Sequence, residues 1–187
     1  MGACLLKDHD ESLKIKITFL FDTIKRYDGY IATTNVKAGL MIPFVGVALF
    51  GITTQVMSFI QANACGGMLY YLILLTSIST IILSSLAAVY LLKTVFPKTN
   101  THGGTRSLIF FSDVAKCENG FDGYTKKILE ATSETLLDDL SRQTFIVAEI
   151  VNEKFRLLKI AKRMCIYGII PLLATSLILI IINGTKF

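Results

Sequence analysis

Charge is what this sequence lacks. Only 18% of its 187 residues are Asp, Glu, Lys or Arg, against roughly 25% in a soluble domain, and mean hydropathy is +0.58. The deficit is concentrated: residues 38–92 contain no acid, base or histidine, and neither do residues 164–185. A bilayer core ~30 Å thick takes about 20 apolar helical residues to cross. The first run is long enough for two crossings and the second for one. The absence of any acidic or basic residue within these runs also argues against a proton relay, a voltage sensor or a coupled transporter.

Other absences narrow the chemistry. The four cysteines, Cys4, Cys65, Cys117 and Cys165, form no CxxC pair and have no histidine at ligand spacing, so no zinc or other metal site is expected and the thiols read as reduced and isolated. Walker, G-x-G-x-x-G and H-E-x-x-H patterns are missing. His102-Gly103-Gly104 resembles part of an esterase oxyanion loop, but no G-x-S-x-G accompanies it. Carboxylates at i+4, Glu130 with Glu134 and Glu149 with Glu153, lie among other charges and read as a solvated face. No catalytic constellation remains, so the chain is not expected to be an enzyme. The first apolar run is too short, and too closely preceded by acids, for a cleavable signal.

What is present sets the topology. Of 19 basic residues, six precede the first apolar run, twelve lie between the two runs and only Lys186 follows the last. The positive-inside rule then places the N-terminus and residues 93–163 in the cytoplasm. The uncharged stretch 61–67, Gln-Ala-Asn-Ala-Cys-Gly-Gly, suits an external hairpin between the first two spans. The net charge of +5 follows from this asymmetry; with acids interleaved throughout, DNA or RNA is not an expected partner.

The expected fold is an all-α membrane protein with three transmembrane helices and a small helical cytoplasmic region. Its parts are an amphipathic segment 1–37, a two-span hairpin 38–92, a cytoplasmic helical region 93–163, and a third span with a short external tail, 164–187. Residues 12–30 carry Leu13, Ile17, Leu20, Ile24 and Tyr27 on one helical stripe, with Asp28-Gly29 expected to interrupt it. Ser112-Asp113 is expected to cap a turn over 114–118, and 119–123 reads as a turn cluster. From Tyr124 the pattern is helical to the end, broken near 132–134. Leu129, Leu136, Leu140, Val147, Ile150, Val151, Phe155, Leu158 and Ala161 make its apolar stripe, which is expected to meet a second copy. Asp138 and Arg142 pair at i+4. In the second span Thr76, Thr80, Ser84 and Ala88 recur at i+4, which suits either close helix packing or a pore lining. Pro43 and Gly46 are expected to kink the first span and Pro171 to weaken the third.

Three stretches, taken in order, are similar to a known family: Ile31–Gly39 (IATTNVKAG), Ser107–Asp113 (SLIFFSD), and Leu140–Arg142 through Glu153–Ala161. Together they resemble the membrane effectors of bacterial Pycsar antiphage defence, the PycTM type, over roughly residues 25–183. Lys37-Ala38, Phe110-Phe111 and Asp113 match that family's motifs, while Asn35, Ser107 and Ser112 stand where it has Asp, Asn and Gly. The resemblance implies a partner cyclase and a cyclic nucleotide messenger sensed on the cytoplasmic side. It further implies an oligomeric effector that impairs the inner membrane. On that footing Phe110 and Phe111 are expected to stack a base, Lys154 or Arg142 to meet phosphate, and Asp113 and Gln143 to hydrogen-bond. Two rivals stay open: a constitutive membrane anchor whose cytoplasmic coiled coil recruits a protein, and a small channel subunit.

Overall fold

The computed structural model describes residues 2–62, 67–96 and 107–184, with side chains from residue 11 onward except at 59, 61, 62, 183 and 184. Most of the expected external hairpin, the His102-Gly103-Gly104 stretch and the end of the external tail lie outside the described residues. Every regular element among them is helical: α1 (Gly2–Ala62), α2 (Met68–Val95), α3 (Phe111–Ala115), α4 (Gly120–Glu130), α5 (Ser133–Met164), a π turn (Cys165–Ile169) and α6 (Ile170–Gly184). Three helical stretches, Glu11–Ser58, Met68–Val95 and Ser133–Ile182, are long and apolar enough to cross a bilayer. The protein is a multi-pass, all-α membrane protein. Its chain divides into two compact units, one of residues 1–31 with 99–152 and one of 32–98 with 153–187.

In the first unit, the inward face of α1 is the expected stripe, from buried Leu13 through half-buried Ile17, Leu20, Ile24 and Tyr27. Asp28-Gly29 does not interrupt it; α1 passes through. One interior glycine costs about 1 kcal/mol relative to alanine, less than nucleating a fresh helix afterwards. The short elements also shift from expectation. The helix α3 begins at Phe111 rather than Val114, and α4 begins inside the expected turn cluster. Asn119, the N-cap of α4, and Gly120, its first residue, both at positive φ, turn the chain from residues 116–118 into α4. The break before α5 falls where anticipated: the Thr132 hydroxyl accepts the Thr135 amide at 3.2 Å, an N-cap bond.

In the second unit the inward faces alternate in steps of four and three. On α2 the buried set is Ile73, Ser77, Thr80, Ser84, Ala87, Leu91 and Thr94; on α1 it runs through Thr34, Ala38, Val45, Ala48 and Ile52. A 3.5-residue period is that of knobs-into-holes packing, and the small residues allow close approach. The i+4 row expected on α2 therefore only crosses the seam: Thr80 and Ser84 lie in it, Thr76 and Ala88 on its margin. Ala38, Val45, Ala48, Ala87, Leu91, Ala161, Cys165 and Ile169 form the core.

Pro43 sits inside α1 without ending it. Pro171 leaves a clearer mark. It lacks an N–H and its ring crowds the carbonyl four residues back. Immediately before it the helix widens into the π turn, where the Ile170 amide reaches back five residues to the Cys165 carbonyl. α2 packs against both this turn and α6. A Cβ added at Gly168, within the turn, would collide with the Leu83 side chain.

Candidate functional site

The segment leading into α3, from residue 107, is organised by one serine. Buried Ser107 uses its hydroxyl fully: Oγ accepts the amides of Ile109 (3.1 Å) and Phe110 (3.0 Å) and donates to Asp139 Oδ2 (3.1 Å). One donor and two acceptor sites are all a hydroxyl has. Asp139 Oδ2 also accepts the Leu108 amide at 2.8 Å. Asp113 Oδ2 accepts the Ser107 amide at 3.0 Å, which closes the loop on itself. From α4, the Tyr124 hydroxyl donates to the Leu108 carbonyl at 3.1 Å. Hydrogen bonds to a charged acceptor contribute about 1.5–3 kcal/mol each, so the loop is rigidly held to α5.

What that rigidity presents is an aromatic pair. Phe110 is the N-cap of α3 and half-buried; Phe111 begins the helix and is 75% exposed. Their ring centroids lie 4.8 Å apart at 51°. An exposed ring on a fixed backbone is a stacking platform with little ordering cost. Asp113 lies in the same loop. One turn beyond Asp139 on α5 are Arg142, which is exposed and pairs with Asp138 as expected (3.3 Å), and Gln143, which is buried. Five of the six residues anticipated for nucleotide recognition thus belong to one unit, on the loop and on the helix that anchors it. Capping by Ser112, by contrast, does not occur: the N-cap of α3 is Phe110, with no side-chain cap bond, and the Ser107 hydroxyl holds the two amides just ahead of the helix.

Lys154, the sixth, belongs to the second unit. It is 2% exposed. Its ammonium donates to Asn35 Oδ1 (2.8 Å) and to the carbonyls of Thr94 (2.5 Å) and Val95 (3.3 Å). The stripe expected to meet a second copy is divided: Leu140, Val151 and Ala161 are buried within the chain, Leu136, Val147, Ile150 and Leu158 are half-buried, and Leu129 and Phe155 are exposed. Within the span, the hydroxyls of Thr76, Thr80 and Thr94 bond back to carbonyls one turn earlier. Those of buried Ser77 and Ser84 have no hydrogen-bond partner among the described residues. No metal-binding cluster occurs among the described residues.

Asp139 is the residue that sequence reasoning missed. Its neighbour Asp138 faces out to Arg142, and the two look alike in sequence. A signal existed: Asp139 directly precedes Leu140 and follows Leu136 by three, so it flanks the apolar stripe, whereas Asp138 does not. An acid there needs a buried donor, and Ser107 supplies it.

A family model described as the Pycsar effector protein domain matches residues 19–182, a span that includes Asn35, the Ser107 loop and Lys154. The chain belongs to the Pycsar effector family. The Pycsar effector protein EcPycTM of Escherichia coli is 34% identical over 153 residues, covering 78% of this chain and 80% of that protein. No solved structure matches. As a member of the Pycsar effector family, the protein is a membrane effector of antiphage defence.

Proposed function

We propose that this effector is activated by a cyclic nucleotide from a partner cyclase and, as a homo-oligomer, makes the inner membrane leaky, itself catalysing no reaction. The N-terminus and residues 93–163 lie on the cytoplasmic side, where the messenger appears. Phe111, with Phe110 beneath it, stacks the base. Arg142 meets the phosphate by exchanging its exposed Asp138 partner, and Gln143 and Asp113 set the orientation. The observation that carries the reading is the Ser107–Asp139 bond: a ligand on the aromatic loop bears directly on α5, and α5 leads through the π turn into the third span. A ligand shifts such an equilibrium only by its differential affinity for the two states. The Thr80–Ser84 seam and Pro171 are where the change is expressed in the bilayer.

The test uses proteoliposomes loaded with self-quenched dye and a panel of 3′,5′-cyclic mononucleotides. At least one nucleotide should release dye, and Phe111→Ala should raise the concentration required about tenfold, as loss of one stacking contact implies. Calorimetric binding without release would refute the leakage mechanism. No binding by any of the panel would refute nucleotide activation and favour recruitment of a protein partner, for which exposed Phe121, Leu129 and Phe145 are available.

A further inference from the structure

Lys154 occupies a position that the packing of α5 reserves for an apolar side chain. Val147, Val151, Lys154, Leu158 and Ala161 follow one another at steps of four and three, and Lys154 is as buried as its neighbours. Each of its three N–H donors has an acceptor: Asn35 Oδ1 from α1, and the Thr94 and Val95 carbonyls from α2. Those two carbonyls are among the last four of α2, which receive no intrahelical N–H and carry the negative end of the helix dipole. Among the described residues no carboxylate pairs with Lys154. The adjacent Glu153 instead makes two 2.7 Å bonds with Arg156.

A buried cation of this kind is a poor source of stability, since an apolar side chain of similar volume commonly does as well or better. What a lone polar residue in a heptad seam provides is register. α5 has one axial position at which the ammonium meets all three acceptors. A slide of one turn, about 5.4 Å, abandons all of them and leaves a desolvated charge. The π turn at Cys165–Ile169 follows eleven residues later, and such a turn holds one residue more than an α turn, a local slack that recurs at functional sites.

We propose that Lys154 is a register latch. It ties the chain-end carbonyls of α2 and the Asn35 side chain of α1 to α5, fixes the resting axial position of the third span, and is released when the effector is activated. This rests on the reading that messenger binding moves α5, but the latch is testable without any messenger. Cys165 lies eleven residues beyond Lys154 in the core, 4% exposed, and is a native reporter. In a background with Cys4, Cys65 and Cys117 replaced by Ser, its alkylation by N-ethylmaleimide is followed in proteoliposomes with no nucleotide present. Lys154→Met, which keeps the volume and removes the charge together with all three hydrogen bonds, should accelerate alkylation at least about tenfold, since one charge-assisted bond alone is worth about that factor. Asn35→Asp, which gives the ammonium a carboxylate, should slow it below the parent rate. Acceleration by the first together with slowing by the second supports the latch; a parent-like rate in either overturns it. If Lys154→Met does not retain the parent's detergent-solubilised size, Asn35→Leu replaces it and must accelerate alkylation, a parent rate again overturning the proposal. Dye release from the same vesicles is read in parallel. A parent protein that never leaks with any nucleotide defeats the leakage reading and leaves the Cys165 result standing.

Discussion

The two units hold themselves together in opposite ways. In the first, a buried hydroxyl, two carboxylates and a phenol organise the Ser107–Asp113 loop against α4 and α5. In the second, the core is alanine, valine, leucine and isoleucine with a single cysteine, and polar groups mostly satisfy themselves on their own helix. Hydroxyls turn back on their own helix in both units, at Thr18, Thr125 and Ser141 in the first as at Thr80 and Thr94 in the second. In the second, small residues on the inward faces let the helices approach closely. In the first, a fully satisfied polar network rigidifies the loop and specifies one geometry. Lys154 is the exception in the second unit, because it joins Asn35 and the end of α2 by side-chain bonds between helices.

That contrast can be broken at one atom on each side. The larger effect is expected at Asp139. Asp139→Ala removes the acceptor for both the Ser107 hydroxyl and the Leu108 amide. Two bonds to a charged acceptor are lost, and buried donors are left unsatisfied at about 1–3 kcal/mol each. Amide hydrogen exchange across 107–113 should therefore rise by two orders of magnitude or more, with exchange in α2 unchanged. The response to nucleotide should fall with it. Protection spread evenly over both units, or lost from both, would mean that they are not built on separate principles.

A smaller effect is expected at Gly168. Gly168→Leu forces the π turn away from Leu83, and overpacking of this kind costs about 1–3 kcal/mol. The detergent-solubilised protein should unfold at a lower temperature, while exchange in the 107–113 loop stays as in the parent. An unchanged melting temperature would show that α2 and the π turn have room to separate without cost.

Much of this was legible in the sequence, for a physical reason. The bilayer imposes its requirement on composition, so charge-free runs announce the spans, and the stripe from Leu13 to Tyr27 announces the inward face of α1. The Asp138–Arg142 pair also followed directly from spacing. What escaped were features that depend on contacts between distant segments. Asp139 and Ser107 lie 32 residues apart and Lys154 and Asn35 lie 119 apart, and no local period encodes either. Lys154 was expected at a phosphate because a lone lysine reads as a surface charge; its place in the heptad seam shows only once the register of α5 is known. The π turn escaped for a similar reason: Pro171 signalled weakened hydrogen bonding, but not that the helix would absorb it by widening.

The central proposal is the topology, with the aromatic loop on the cytoplasmic side and the 61–67 stretch, whose residues 63–66 lie outside the described ones, on the external side. Thiol labelling in intact cells tests it most directly, because Cys65 lies in that stretch of sequence and Cys117 in the first unit. With Cys4 and Cys165 replaced by Ser, a membrane-impermeant maleimide should label Cys65 from outside and leave Cys117 untouched until the cells are permeabilised. Labelling of Cys117 in intact, unactivated cells would contradict the account.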